Sequence, residues 1–225
     1  MDKQKSLVLV GDSAFAEVAY EYFTHDSPYR VVGFSVERAY LKQERLFGLP
    51  VVPFEDLPMH FEPATHALFV AVVYTQMNRL RARLCQEAKS KGYALASYVS
   101  SRAFVWRNAT LGEHCFIFEN NVVQPFVKIG NNVVLWSGNH IGHHSEIKDN
   151  CFISSHVVIS GYVRVGENSF LGVNSSVSNN RTLGRDCWLG PGVTLAQDAP
   201  DGSLYNLEKV APSRVSSLRF FKVAS

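Results

Sequence analysis

Ile141-Gly142-His143-His144-Ser145-Glu146-Ile147-Lys148-Asp149-Asn150-Cys151-Phe152-Ile153 decides the fold of this chain. Its isoleucines recur every sixth residue, and the small residues Ser145 and Cys151 stand four places after the first two. Followed outward, the same interval gives Val99, Val105, Leu111, Ile117, Val123, Ile129, Leu135, then Ile159, Val165, Leu171, Val177, Leu183, Leu189 and Leu195, without a break. All six isoleucines of the chain lie in this register. Compact residues sit four after nearly every anchor, Arg181 being the exception, and glycine follows the anchor at Gly112, Gly130, Gly142, Gly166, Gly172, Gly184 and Gly190. The series stops at Tyr93 on one side and Asp201 on the other.

This is the hexapeptide β-helix repeat. Each hexapeptide is a short strand and a turn, and three close a triangular coil of about 18 residues. The anchor and the small residue point inward, and neighbouring coils pair as parallel strands ~4.8 Å apart. A single coil cannot bury its own face, so stacking makes the core. The repeat class winds left-handed, which the period alone does not show. Residues 99–197 are therefore expected to form a left-handed parallel β-helix. Cys115, Cys151 and Cys187 fall in one column of small inward residues, which predicts packing rather than thiol chemistry.

The first 98 residues have a different pattern. Ser6–Val10, Val31–Val36 and Ala67–Val73 are apolar runs of strand length. Ala14–Phe23 and Gln76–Lys91 have helical spacing, the second closed by Gly92, and Tyr93–Val99 leads into the repeat as a strand. The alternation predicts a small Rossmann-like α/β domain with a parallel sheet. Gly11-Asp12-Ser13 is its first strand-to-helix turn, where backbone amides can approach a phosphate, although a full GxGxxG fingerprint is absent. Residues 198–225 read as a loop with Pro200 and Gly202, followed by a cap over the prism end at Val210–Phe221.

Composition narrows the function. A net charge of +2 gives no electrostatic case for nucleic acid. The longest apolar runs are too short to cross a bilayer, and no signal peptide is read at the N-terminus. Four cysteines with no CxxC pair favour a reduced, cytoplasmic protein. Trp136 and Trp188 adjoin anchors and should point outward, which predicts a buried subunit interface. Lys128, Lys148, Arg164, Arg181 and Arg185 lie on the helical part, as a solvated face or as partners for phosphates. His140, His143, His144 and His156 cluster in the repeat, with His143 and His144 near a corner. A histidine there can serve as the near-neutral base that acyl transfer needs.

The His143-His144 segment, the stretch 163–177 and Leu189-Gly190-Pro191-Gly192-Val193-Thr194-Leu195, together with the α/β domain, resemble the bacterial nucleotide-sugar acetyltransferases of the left-handed β-helix class. The resemblance is to the bacillosamine and perosamine N-acetyltransferases, with the sialic acid O-acetyltransferases nearby. It implies an acetyl-coenzyme A-dependent transferase acting on the amino group of a nucleotide-linked sugar in surface glycan biosynthesis, working as a homotrimer. It implies His143 as general base, with His144 as the alternative. It implies cofactor contacts at Phe152, Gly161, Val173 and Pro191, and acceptor binding near Gly11, Asp12 and Ser13.

Three departures stand out. His144 replaces the acidic residue that follows the family's base. Phe152 replaces a frequent histidine, and Ala14-Phe15 replace Gly-His in the N-terminal turn. These keep open a non-catalytic binding or scaffold protein beside N- and O-acetylation. His140, His143 and His144 do not match the spacing of the zinc-binding β-helix carbonic anhydrases, so no metal is expected.

Overall fold

The computed structural model describes residues 5–208 and 211–223. Its first part contains β1 (Lys5–Val10), α1 (Ala14–His25), β2 (Tyr29–Val36), β3 (Arg45–Leu46), β4 (Leu49–Pro53), α2 (Leu57–His60), β5 (His66–Val70), α3 (Arg79–Ser90) and β6 (Ala94–Leu95). The sheet order is β3-β4-β2-β1-β5-β6, parallel except for the β3–β4 hairpin. β1 is buried on both faces, as a run of apolar residues requires. Leu7 and Leu9 pack with α1, whereas Val8 and Val10 pack with α2 and α3. The helix expected from Gln76 starts later, because Gln76, Met77 and Asn78 all have positive φ. The single strand expected over Tyr93–Val99 is two strands of different sheets. Ala96 N–H donates to Leu68 in the α/β sheet, and Tyr98 N–H donates to Cys115 in the helical part.

From β7 (Tyr98–Val99) to β24 (Leu204–Tyr205), eighteen two-residue strands form three parallel sheets, the faces of a left-handed prism. The first face runs from Tyr98–Val99 through Phe116–Ile117 and Phe152–Ile153 to Leu204–Tyr205. The second runs from Phe104–Val105 through His140–Ile141 to Thr194–Leu195, and the third from Thr110–Leu111 through Glu146–Ile147 to Thr182–Leu183. Anchors stack as expected, Ile117 on Leu135, Ile153, Leu171 and Leu189, and fill the interior. The cysteine column is buried, and Cys115 and Cys151 each donate a weak S–H bond to a glycine carbonyl at 3.2 Å. Burial pushes Cys151 up to about 12, so it stays a thiol.

The corners have their own rule. The residue three after the anchor takes a left-handed conformation at Asn120, Asn132, Asn150, Asn168, Asn174, Asn180 and Asp186. Asn and Asp tolerate it best among residues with a Cβ. His114, Phe126, His144, His156 and Tyr162 occupy the same position with φ of 56–64°. Holding them there costs about 1 kcal/mol or more each.

The α/β part covers the first face. Phe15 and Phe23 of α1 meet Phe116 at 5.6 and 5.7 Å, and Tyr74 lies on Phe152 and Phe170 at 5.2 and 4.6 Å. Trp136 stacks on Phe118 at 4.4 Å and Trp188 on Phe170 at 4.0 Å inside this seam. Both tryptophans point outward from the prism, where the chain's own N-terminal part packs against them and leaves each half-buried. α3 grips the adjoining vertex. Arg81 is fully buried there, giving Nε–H to Asn132 Oδ1 at 2.8 Å and a second N–H to the Asn132 carbonyl at 3.0 Å. Among the described residues none covers the second and third faces or the vertex between them.

Two expectations at the C-terminus are corrected. The coil continues past Leu195: Ala199 is buried against the prism, and β24 pairs with Trp188–Leu189 at an offset of 16 instead of 18 residues. The six-residue period hides it because this last coil is two residues short. The expected cap over Val210–Phe221 is not formed by the described residues 211–221, which are all exposed; Val210 lies outside the described residues.

Candidate functional site

His143 and His144 lie on the open vertex between the second and third faces, between β14 (His140–Ile141) and β15 (Glu146–Ile147). The backbone is fixed from the preceding coil, where Gln124 Oε1 accepts the His143 N–H at 2.9 Å. The next coil presents Gly161 to the His143 ring. A Cβ there would stand 2.8 Å from Cε1 and Nε2, so glycine is what lets the imidazole lie flat over that turn. His144, in the left-handed corner position, is sandwiched between Phe126 at 4.6 Å and Tyr162 at 4.7 Å. The two imidazoles meet through Nδ1 at 3.1 Å, so one ring donates its Nδ1–H to the other. This contact leaves Nε2 of His143 available to a reactant.

A cleft of about 510 Å³ adjoins this vertex on the third face, lined by Phe126, Lys128, His144, Glu146, Tyr162 and Arg164 among others. Glu146 accepts from Lys148 at 2.6 Å and pairs with Arg164 at 3.2 Å. The Lys148 hydrogen bond holds Glu146 below the usual carboxylate range. Three cations around one carboxylate leave net positive charge beside the histidines, which suits a phosphate-bearing ligand.

Gly11, Asp12 and Ser13 form the turn after β1. Gly11 has φ +127°, and a Cβ would come within 2.8 Å of the Ala71 carbonyl, so only glycine fits. Its N–H is occupied by Ser35 O at 2.7 Å and does not point at a ligand. The turn lines a cavity of about 180 Å³ with Val36, Glu37, Tyr40 and Leu84, continuous through Asp12, Ser13 and Tyr40 with a second cleft bearing Lys42 and Gln43. Glu37, Tyr40 and Lys42 were not singled out from the sequence, because the segment between β2 and β5 has no periodic pattern. This cavity lies on the part that covers the first face, whereas His143 stands on the vertex opposite that face. The structure does not bring the two together within one chain.

The four expected cofactor contacts separate. Gly161 adjoins His143. Val173 and Pro191 stack on another vertex, between the first and second faces, and are exposed there. Phe152 is a correction: it is 2% exposed, packed under Tyr74, Phe170 and the Arg81 guanidinium, and is not open to a cofactor. His140 is half-buried on the second face between Val122 and Val158, and His156 packs over Gly138 at a different vertex, so neither joins the His143 pair. Cys85 and His114 lie 3.4 Å apart but do not form a nucleophile and base. His114 accepts the Val70 N–H at Nε2 and gives Nδ1–H to Asn132, and burial pushes the Cys85 thiol up to about 12. Among the described residues no group of three potential ligands could hold a metal ion, and no helix is long and apolar enough to cross a membrane.

The bacterial transferase hexapeptide family (six repeats) matches residues 108–142 and 127–161. No curated protein sequence matches the chain. Among solved structures, PerB from Caulobacter crescentus in complex with CoA and GDP-perosamine matches with a TM-score of 0.79 at 27% identity, over 88% of this chain and 92% of that one. A histidine-to-asparagine mutant of perosamine N-acetyltransferase from the same organism, with the same ligands, gives 0.80 at 26% identity and the same coverage. The acetyltransferase domain of PglB from Neisseria gonorrhoeae, in complex with acetyl coenzyme A, matches in fold with a TM-score of 0.80 at 23% identity, over 89% and 95% of the two chains. In fold and repeat the chain is similar to the left-handed β-helix acyltransferases. Within that class the chain is built as the bacterial nucleotide-sugar acetyltransferases are, as the sequence resemblance implied.

Proposed function

We propose that the protein acetylates an amino group on a nucleotide-activated sugar for surface glycan assembly, with acetyl-coenzyme A as donor and His143 as general base. The observation carrying this reading is the His143 ring, oriented by Gly161 and His144, with its Nε2 uncommitted and its partner His144 lining a cationic cleft. It is supported by the CoA and GDP-perosamine complexes of the Caulobacter relatives.

The chain's residues fit such ligands by their chemistry. Lys128, Lys148 and Arg164 supply charge for phosphates near the histidine vertex. Val173 and Pro191 offer an exposed apolar edge to the pantetheine arm. Bound acetyl-coenzyme A supplies the acetyl group as a reactive thioester. His143 Nε2 accepts the proton that the sugar amine must lose as it attacks. Asp12, Ser13, Glu37 and Tyr40 hold the nucleotide at the turn after β1. Because that turn and His143 face away from each other in one chain, acceptor and base come together only between copies, and a cyclic trimer provides the closed arrangement.

The test is coenzyme A release from acetyl-coenzyme A with a panel of nucleotide-linked amino and hydroxyl sugars, for the wild type and His143→Ala. Turnover with amino sugars only, lost in the variant while coenzyme A binding survives, is the expected result. Turnover unchanged in His143→Ala would remove the base, and turnover confined to hydroxyl sugars would make this an O-acetyltransferase.

A further inference from the structure

The residue beside the proposed base is a second imidazole, and its surroundings are specific. We infer that His144 is the positioning residue of a two-histidine pair, its imidazole doing for His143 what a carboxylate does in other acid–base sites. This rests on His143 being the base. The Nδ1 atoms are 3.1 Å apart, so only one proton lies between them. If His144 donates it, His143 carries its proton at Nε2 and cannot accept another there. If His143 donates it, Nε2 of His143 presents a lone pair to the acceptor amine. The working state is therefore the Nδ1–H tautomer of His143, with Nδ1 of His144 as acceptor.

His144 is held for this task. Its ring cannot swing away, because Phe126 and Tyr162 flank it at interplanar angles of 25° and 13°. Tyr162 also meets the His143 ring edge-on at 5.2 Å, closing the other side of the pair. The reaction balances within this arrangement. The C–N bond forms as the amine attacks the acetyl carbon, and the amine proton passes to Nε2 of His143. The resulting imidazolium keeps its Nδ1–H directed at His144, which shares its charge. When the C–S bond breaks, the Nε2 proton goes to the departing sulfur, and the pair returns to its starting tautomer without an added reactant.

The test uses His144→Asn and His144→Asp in the full-length protein. Asn and Asp already occupy the same left-handed corner position at Asn150, Asn168 and Asp186, so both variants suit the backbone. The Asn variant is expected to lower kcat by about 10- to 100-fold with KM changed less than about threefold, because its amide is a weaker, neutral acceptor for Nδ1–H and can instead donate to Nδ1 and hold His143 in the unproductive Nε2–H tautomer. The Asp variant is expected to restore most of that loss. A second readout is independent of turnover: long-range ¹H–¹⁵N correlation of the imidazoles should show His143 as the Nδ1–H tautomer in the wild type and a shift towards Nε2–H in His144→Asn. An Asn variant within about twofold of wild type, an Asp variant as poor as Asn, or an Nε2–H tautomer of His143 in both proteins would each overturn the pair. Absence of turnover in the wild type would count against the proposed function, and the tautomer measurement would still decide the pairing.

Discussion

Acidification should loosen this protein through one buried histidine that takes no part in the proposed chemistry. His114 is 1% exposed, sits where α3 meets the prism, and accepts a hydrogen bond from Val70 N–H at Nε2. A proton added there would face a donor that cannot turn away. Burial, and then the charge of Arg81, push its pKa from 6.5 down to about 3. The sign follows from linkage. The unfolded chain takes up the proton first, so stability is intact above about pH 6.5 and falls as pH drops from there towards about 3. At pH 5 the unfolded imidazole is almost fully protonated and the folded one is not, which costs about 2 kcal/mol relative to pH 8.

The assay is urea unfolding at pH 8, 6.5 and 5, at one protein concentration so that assembly contributes equally. His114→Asn is the reference variant, because His114 has φ 56° and asparagine accepts that conformation. The variant should be less stable at pH 8 but lose about 2 kcal/mol less than wild type on going to pH 5. Asp26, Glu119 and Glu146 also have lowered values, so their contributions persist above the unfolded carboxylate range and fade only as pH falls below it. They cancel in the comparison. Parallel losses in the two proteins, or His114 ring resonances that titrate above pH 5, would refute the reasoning.

Phe15→Ala should cost about 3–5 kcal/mol in denaturant unfolding, because it empties the centre of the aromatic seam between the two parts; a loss under about 1 kcal/mol would mean that the seam does not hold them together. Gly161→Ala should leave the unfolding midpoint nearly unchanged but lower kcat by about 10- to 100-fold, since its Cβ would displace the His143 ring; unchanged kcat would separate His143 from the chemistry. Co-expressed His143→Ala and Asp12→Arg chains, each inactive alone, should recover about a quarter of the wild-type activity per site if base and acceptor cavity come from different copies. No recovery would place both in one chain.

The prism was legible from the sequence because its period is short, uninterrupted and carried by residues that must be buried. The anchor series from Ile117 to Leu195 is inside, as are the cysteines. Near Val99, which is 40% exposed, the first coil lacks a neighbour on one side, and the same residue type says nothing about burial. What the period could not show was which faces are covered. Trp136 and Trp188 obey the outward rule, but whether a second subunit or the α/β part lies on them depends on tertiary docking. Arg81 shows the same limit from the other side. In a helix rich in Arg, Lys and Glu it looks like a solvated residue, yet it is buried because Asn132 and the Val72 carbonyl receive its N–H groups. The histidine pair was half legible: adjacency was plain, but the Nδ1 contact depends on the left-handed corner at His144, which turns its ring back towards His143.

The same geometry bears on the departures from the family pattern. Phe15 and Phe152 stand where polar residues were expected, and each weakened the case for catalysis on sequence grounds. In the structure they belong to one feature. Phe15 lies 5.9 Å from Trp136, and Trp136 lies 6.3 Å from Phe152, in a continuous seam that also takes in Phe116, Phe118 and Phe170. A polar group at either position would be buried there without a prepared partner, at a cost of about 1–3 kcal/mol. These two substitutions are therefore accounted for by the docking of the α/β part on the first face, and they carry no argument for a scaffold that has lost its activity. Only His144 departs from the pattern at the open vertex itself, so the pairing of the two histidines is where the catalytic and non-catalytic readings divide.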